Sequence, residues 1–281
     1  MDYLQAFKDI LRHRNLTTHT LTTYCTYIAP YLDYVSAVLS KTPEDVSYPE
    51  IIQYIDYIQD ERGLSDRSVN FIISQIRCFN IYVLHKPWDD FQIPRRKFDT
   101  YLPYVPNQQT VRTFIDSIDD LKIKAMVALL YSAGLRHCEV RNLKYEDICR
   151  QDRRIHITHS KNRSDRYAVL SSNALEILTQ YWYAYNRPKG WLFPQQKNLD
   201  KPIDHFSLPR QIRNYEKKLG WEHKLSCHSF RHAFGTHLYE NGADLLTIKT
   251  YMGHKSLSST EIYVHLAVNP NPKFKSPFDA R

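Results

Sequence analysis

Along most of the chain, apolar residues recur three and four positions apart, the spacing that gathers them on one face of a helix. Leu4, Phe7, Ile10 and Leu11 predict a helix over 3–13. Leu21, Tyr24, Ile28, Leu32 and Val35 predict a second, capped by Thr17 or Thr18 and running to about Leu39. Pro49 suits the first turn of a third over 50–61, which Gly63 ends. Ser65 caps a fourth over 66–84, with Val69, Ile72, Ile73, Ile76 and Phe79 inward. Residues 1–85 therefore read as a small helical bundle. From 86 to 106 the period stops: Pro87, Pro94, Pro103 and Pro106 flank a basic run, Arg95-Arg96-Lys97, and predict a stiff interdomain linker.

A second region spans 107–269, with helices predicted at 108–118, 121–133, 137–143, 172–185, 206–219, 229–241, 244–251 and 258–265. Residues 153–158 and 166–170 alternate or favour strand, and the polar turn Ser160-Lys161-Asn162-Arg163 between them predicts a hairpin. Residues 270–281, with three prolines, read as an extended tail. The expected class is mainly α with a small antiparallel β-sheet. Glycine is scarce, seven in 281, which agrees with that class.

Charge changes the picture more than composition does. The formal net charge is +8. Residues 1–90 hold 8 Lys+Arg and 12 Asp+Glu, a net of −4, so the remaining 30 and 18 leave +12 on the rest. The basic part also carries the candidate chemistry, so a polyanionic partner is expected there. The five cysteines (Cys25, Cys78, Cys138, Cys149, Cys227) show no CxxC spacing and read as reduced thiols of a cytoplasmic protein. No signal peptide is recognised and no apolar run approaches the roughly 18–20 residues of a membrane span, so no membrane is expected.

Six side chains suit metal-free attack on a phosphodiester. Such attack builds negative charge on non-bridging oxygens, which planar, always-charged guanidiniums stabilise best. Arg136 follows the Gly134 break at the start of a predicted helix; its plainer reading is an arginine paired with Glu139 three residues on. His228 and Arg231 are three apart and can share a helix face; a merely polar face is the alternative. His254, after Gly253, can place a donor on a phosphate oxygen, although a lone loop histidine means little. Tyr263 is one of 21 tyrosines, a poor nucleophile unless a base or cations assist it. Lys161, at the hairpin tip, can protonate a departing 5′ oxygen; Arg163 and Arg166 are substitutes in that role, and an exposed turn lysine is the commoner case.

The ordered set says more than its members. Ala133 to Leu143, Cys227 to Leu238, Met252 to Ser256 and Thr260 to His265 resemble the signature boxes of the tyrosine recombinase (phage integrase) family, over residues 107–268. Residues 15–39 and 63–84 more loosely resemble that family's helical, SAM-like core-binding domain, as in its short Xer-like members. The resemblance implies that Arg136, His228, Arg231 and His254 bind and activate the scissile phosphate. Tyr263 would attack it to give a 3′-phosphotyrosyl link, with Lys161 the general acid. No cofactor or metal is implied. Glu139 would be a supporting helix residue, and His265 fits the histidine common two places after the nucleophile. Departures are a lysine without flanking glycines (Ser160-Lys161-Asn162), Phe230 and Tyr251 where leucine is commoner, and no arm-binding domain ahead of the bundle.

The resemblance further implies a clamp around double-stranded DNA, with the linker crossing one side. Four protomers would assemble on two recombination sites, accessory proteins would be further partners, and the tail would dock on a neighbour. Rival readings are a type IB topoisomerase-like strand relaxation, a non-catalytic DNA-binding regulator, and a metal site built on Cys227, His228, His232 and His237. The last lacks an HExxH glutamate.

Overall fold

The computed structural model describes residues 2–158, 165–222 and 225–267. The chain divides into two compact units, 1–100 and 101–281.

The first unit is built from α1 (Tyr3–His13), α2 (Thr18–Ala37), α3 (Tyr48–Arg62) and α4 (Asp66–Tyr82). Local chemistry sets the ends. The Asp2, Thr17 and Ser65 side chains accept backbone N–H groups at the starts of α1, α2 and α4. Glu50 reaches back to the Ser47 N–H at 2.9 Å, which starts α3 earlier than the apolar stripe alone suggests. Gly63 closes α3 in the left-handed region, φ +57°. The apolar faces meet in one core that includes Phe7, Leu11, Ile28, Val35, Ile55, Val69, Ile76 and Phe79. Part of the expected linker belongs to this unit: Ile93 is buried in the same core, and the Asn70 amide exchanges two 2.8 Å hydrogen bonds with the Arg96 backbone. Arg96 is also ion-paired to Asp56 at 3.1 Å, so one cation of the basic run fastens the segment down.

The second unit begins with α5 (Gln108–Asp116), α6 (Leu121–Ser132) and the short α7 (His137–Arg141). A three-stranded antiparallel sheet follows: β1 (Ile148–Cys149), β2 (Arg154–Ile157) and β3 (Arg166–Val169), in that spatial order. Arg154 pairs with Val169 and Ile157 with Arg166. The sheet turns Ile155, Ile157 and Ala168 into the core. The hairpin strands lie where alternation predicted them; the hairpin turn, including Lys161 and Arg163, lies outside the described residues, as does the tail. α8 (Ser172–Ala184), α9 (Ser207–Lys218), α10 (Cys227–Glu240), α11 (Leu245–Met252) and α12 (Ser258–Leu266) complete the unit.

α6 is the central helix. Ile123, Ala125, Met126, Val127, Ala128, Leu129 and Leu130 are all buried, so it is apolar on every side and enclosed by neighbours. α8 and α10 pack on it, and α10 in turn supports α11 and α12. α11 also rests on β3. α5, α6, α9, α11 and α12 all pack on α10. No helix among the described residues is long and apolar enough to cross a membrane.

Candidate active site

α10 starts at Cys227 because Ser226 caps it, its hydroxyl accepting the Ser229 N–H at 3.1 Å. One turn in, Arg231 points into the protein and is only 4% exposed. Its Nη1 donates to the Gly134 carbonyl, and its Nη2 donates to the Met252 carbonyl at 2.6 Å. Burial, then the neighbouring Arg136, lower its pKa to about 10, which leaves it charged at neutral pH.

Arg136 is the N-cap of α7. Gly134 makes this possible. It has φ +59°, and a Cβ there would lie 2.3 Å from the Phe234 ring, so both conformation and space demand glycine. Glu139 accepts the Arg136 N–H at 2.8 Å and its Nη1 at 2.9 Å. The i,i+3 pair expected as the plain alternative is thus present, but it is partly buried and faces the site. Arg136 Nη2 also donates to the Gly253 carbonyl at 3.3 Å.

Gly253 ends α11 in the left-handed region, φ +62°. His254 follows, with Nδ1 2.9 Å from the Thr260 hydroxyl. Burial, then Arg231, Arg136 and Arg166, push the His254 pKa down to about 4. The ring is therefore neutral near pH 7. A ring that accepts the Thr260 hydroxyl at Nδ1 carries its proton on Nε2, the donor a phosphate oxygen needs.

Tyr263, on α12, stacks on His254 with centroids 6.1 Å apart and planes at 14°. It is 1% exposed. Burial raises its pKa to about 12; Arg231 and Arg136 pull the other way and are outweighed. The ring is seated against Gly235 of α10, where a Cβ would lie 2.5 Å from Cζ. His232 lies on its other flank, at 6.1 Å between centroids. His228, in the first turn of α10, is exposed and neighbours His232 at 6.3 Å. His228 and Arg231 share a helix but not an environment.

Arg136, Arg231, His254 and Tyr263 are therefore in one cluster, with His228 at its edge and Lys161 outside the described residues. The sequence had offered Arg166 only as a substitute for the hairpin lysine. Here its Nη1 and Nη2 meet the two Glu139 oxygens at 2.8 and 2.7 Å. Glu139 is 3% exposed, and burial alone would raise its pKa. The hydrogen bonds and charge of Arg166, then of Arg136, hold it at about 2. Three guanidiniums around one carboxylate leave a surplus of two positive charges beside the tyrosine. Of the residues in the rival metal site, His237 is hydrogen-bonded to Tyr131 at 3.0 Å.

Comparisons with known proteins fit this geometry. The phage integrase family profile matches residues 107–269, and the profile of the phage integrase N-terminal SAM-like domain matches residues 3–90. A putative integrase/recombinase of Sinorhizobium fredii is 31% identical over 276 residues, covering 98% of this chain and 88% of the relative. Tyrosine recombinase XerD of Listeria innocua is 31% identical over 274 residues, covering 92% of this chain and 91% of its own. Among solved structures, XerH recombinase bound to a palindromic difH substrate superposes with TM-score 0.74 at 19% identity, over 95% of this chain and 82% of that one. A lambda integrase dimer bound to a core site gives 0.73 at 17% identity, over 99% and 98%. The chain belongs to the phage integrase family, the tyrosine recombinases, which cut and rejoin DNA by strand transesterification.

Proposed function

We propose that this chain is a site-specific recombinase of double-stranded DNA in which Tyr263 is the nucleophile. The observation that carries the reading is the cluster itself: a tyrosine flanked by a buried arginine, a half-buried arginine and a neutral histidine, on three separate helices and a loop. Arg136, Arg231, His254 and His228 bind the scissile phosphate. Both guanidiniums keep donors in hand, since each uses only part of its five-donor fork on described residues. Their charge is aimed at the oxygens that gain negative charge in the transition state, in surroundings where that charge is poorly screened.

The Tyr263 oxygen forms a bond to phosphorus as the bond to the 5′ oxygen breaks. The phenol proton passes to His228 or to solvent, and Lys161 gives a proton to the leaving 5′ oxygen. The phosphotyrosyl ester retains the energy of the broken bond, so reversal by a 5′ hydroxyl needs no added energy source. Since Tyr263 is 1% exposed, a phosphodiester reaches it only after α12 shifts or the ring swings off Gly235. Engagement of DNA supplies that displacement.

Residues 1–100, which take in most of the expected linker, form the core-binding domain, 107–269 the catalytic domain and 270–281 the tail. Four protomers assemble on two sites in the cytoplasm, with accessory proteins as possible helpers and the element that encodes the enzyme as a natural target. The test is covalent trapping. Full-length protein is incubated with nicked duplexes from the DNA beside its gene and from a genomic pool, then denatured in detergent. A protein–DNA adduct that disappears in Tyr263→Phe is expected. An adduct that persists in Tyr263→Phe, or none on any DNA despite salt-sensitive binding, overturns the proposal in favour of another nucleophile or a non-catalytic binder.

A further inference from the structure

Glu139 has four acceptor sites on its two oxygens, and four donors fill them. Arg166 supplies two as a fork, the Arg136 guanidinium one and the Arg136 backbone one. A carboxylate without side-chain exposure must be paired or protonated. Arg136 alone could pair with it, but only by turning its planar fork fully onto Glu139, and the donors so used would be lost to a phosphate. Arg166 removes that demand.

We infer that Arg166 is a positioning residue for DNA strand cleavage, which takes most of the neutralisation of Glu139 so that Arg136 spends one guanidinium nitrogen on it and keeps donors for the scissile phosphate. This rests on the assignment of Arg136 above. Three observations set Arg166 apart from an ordinary surface arginine. It is 10% exposed at the side chain, and its contacts to Glu139 are as short as 2.7 Å. Its stem lies against Gly253, where a Cβ would stand 2.6 Å from Arg166 Cδ, so the glycine before His254 leaves room for it. It sits on β3 and reaches across to α7 and to the end of α11, linking the strand that leaves the hairpin to both phosphate-binding segments.

The role is distinguishable from direct phosphate contact and from simple structural support. Covalent trapping on a nicked duplex is compared for wild type, Arg166→Gln, Glu139→Gln and the double variant Arg166→Gln/Glu139→Gln. DNA binding is measured from low to high salt on the same proteins. Loss of Arg166 alone is expected to slow adduct formation about 100-fold, the size of effect a misplaced catalytic group produces. The double variant is expected to recover at least about tenfold of that, because the neutral glutamine no longer captures Arg136. In the double variant the salt dependence of binding stays as in wild type, since Arg136 is released to its phosphate and no other phosphate contact is removed. A double variant no faster than Arg166→Gln overturns the inference. So does a fall of about one in the slope of log affinity against log salt in the double variant, which would make Arg166 a phosphate ligand itself.

An independent reading comes from acid unfolding without DNA. In wild type, Glu139 held at about 2 contributes stability that is lost as pH falls from about 4.5 to about 2; in Arg166→Gln that loss is smaller and the acid limb shallower, as it is in the double variant, which has no carboxylate there. An unchanged acid limb in Arg166→Gln also overturns the inference. Failure of the proposed function shows differently: the adduct then survives Tyr263→Phe or never forms, while the acid-unfolding result stands.

Discussion

Replacing Gly235 by alanine probes how Tyr263 is seated. The new Cβ would lie 2.5 Å from Cζ and 2.7 Å from both Cε atoms of the Tyr263 ring. Carbon atoms in contact settle at about 3.5–4 Å, so ring and helix must separate by about 1 Å. Overpacking of this kind costs about 1–3 kcal/mol. Alanine in a helix interior offsets about 0.5–1 kcal/mol of that relative to glycine. The net loss is about 1 kcal/mol, or a fall of about 2–4 °C in melting temperature for a unit of this size. In a Tyr263→Ala background the clash is gone and only the helix term remains, so Gly235→Ala should then raise stability. Calorimetric unfolding of the full chain across the four-member cycle reads both signs. Strand cleavage by Gly235→Ala, with its hydroxyl displaced by about 1 Å, should fall about 100-fold. An equal stability effect of Gly235→Ala in both backgrounds would refute the seating argument.

Other consequences are open to similar tests. Stability should decline as pH falls from about 6.5 to about 4. His137, His232 and His254 are each held near 4 when folded, first by burial and then by neighbouring cations or histidines. These are depressed histidine pKa values, so the unfolded chain takes up protons first. The stabilisation is complete above about 6.5 and is lost as each folded value is approached, with a slope of up to about 1.4 kcal/mol per pH unit per histidine. Unfolding midpoints against pH should show a shallower slope in His232→Gln, and an unchanged slope would discount His232. Phe230→Ala, which empties a site packed against Phe114 at 5.3 Å between centroids, should cost about 3–5 kcal/mol by denaturant unfolding. DNA affinity should drop steeply between about 50 and 200 mM salt, and a flat profile would contradict phosphate-dominated binding. Lys161→Ala should slow cleavage of ordinary DNA yet leave cleavage normal with a sulfur leaving group, which needs no proton; equal slowing of both would remove Lys161 as the acid.

Much of the fold could be read from the chain because its signals are local. The stripes of α1 and α4 and the caps at Thr17 and Ser65 depend on neighbours three or four residues away. β1 escaped notice because two residues have no period; it exists through pairing with β2. Residues 86–100 read as linker because proline breaks the helical period, which hides the contacts of Ile93 and Arg96 with the first unit. In the site, the order of Arg136, Arg231, His254 and Tyr263 was legible as a pattern. The Arg166–Glu139 fork was not, since it joins residues 27 apart through a strand and a helix packed together only in the folded unit. The spacing of His228 and Arg231 suggested a shared face, whereas the depth of α10 in the unit buries one and exposes the other.

Arg231 is tethered by the carbonyls of Gly134 and Met252. Every residue type carries a main-chain carbonyl, so drift in the side chain at Met252 leaves that anchor in place provided the helix end keeps its path. Of the two anchoring positions, Gly134 constrains residue type through its backbone, by its positive φ and the Phe234 ring. An arginine held this way is buffered against the divergence of its surroundings. Evolution can rewrite most of the scaffold around it while the guanidinium keeps its place, as a fold shared with lambda integrase at 17% identity would require.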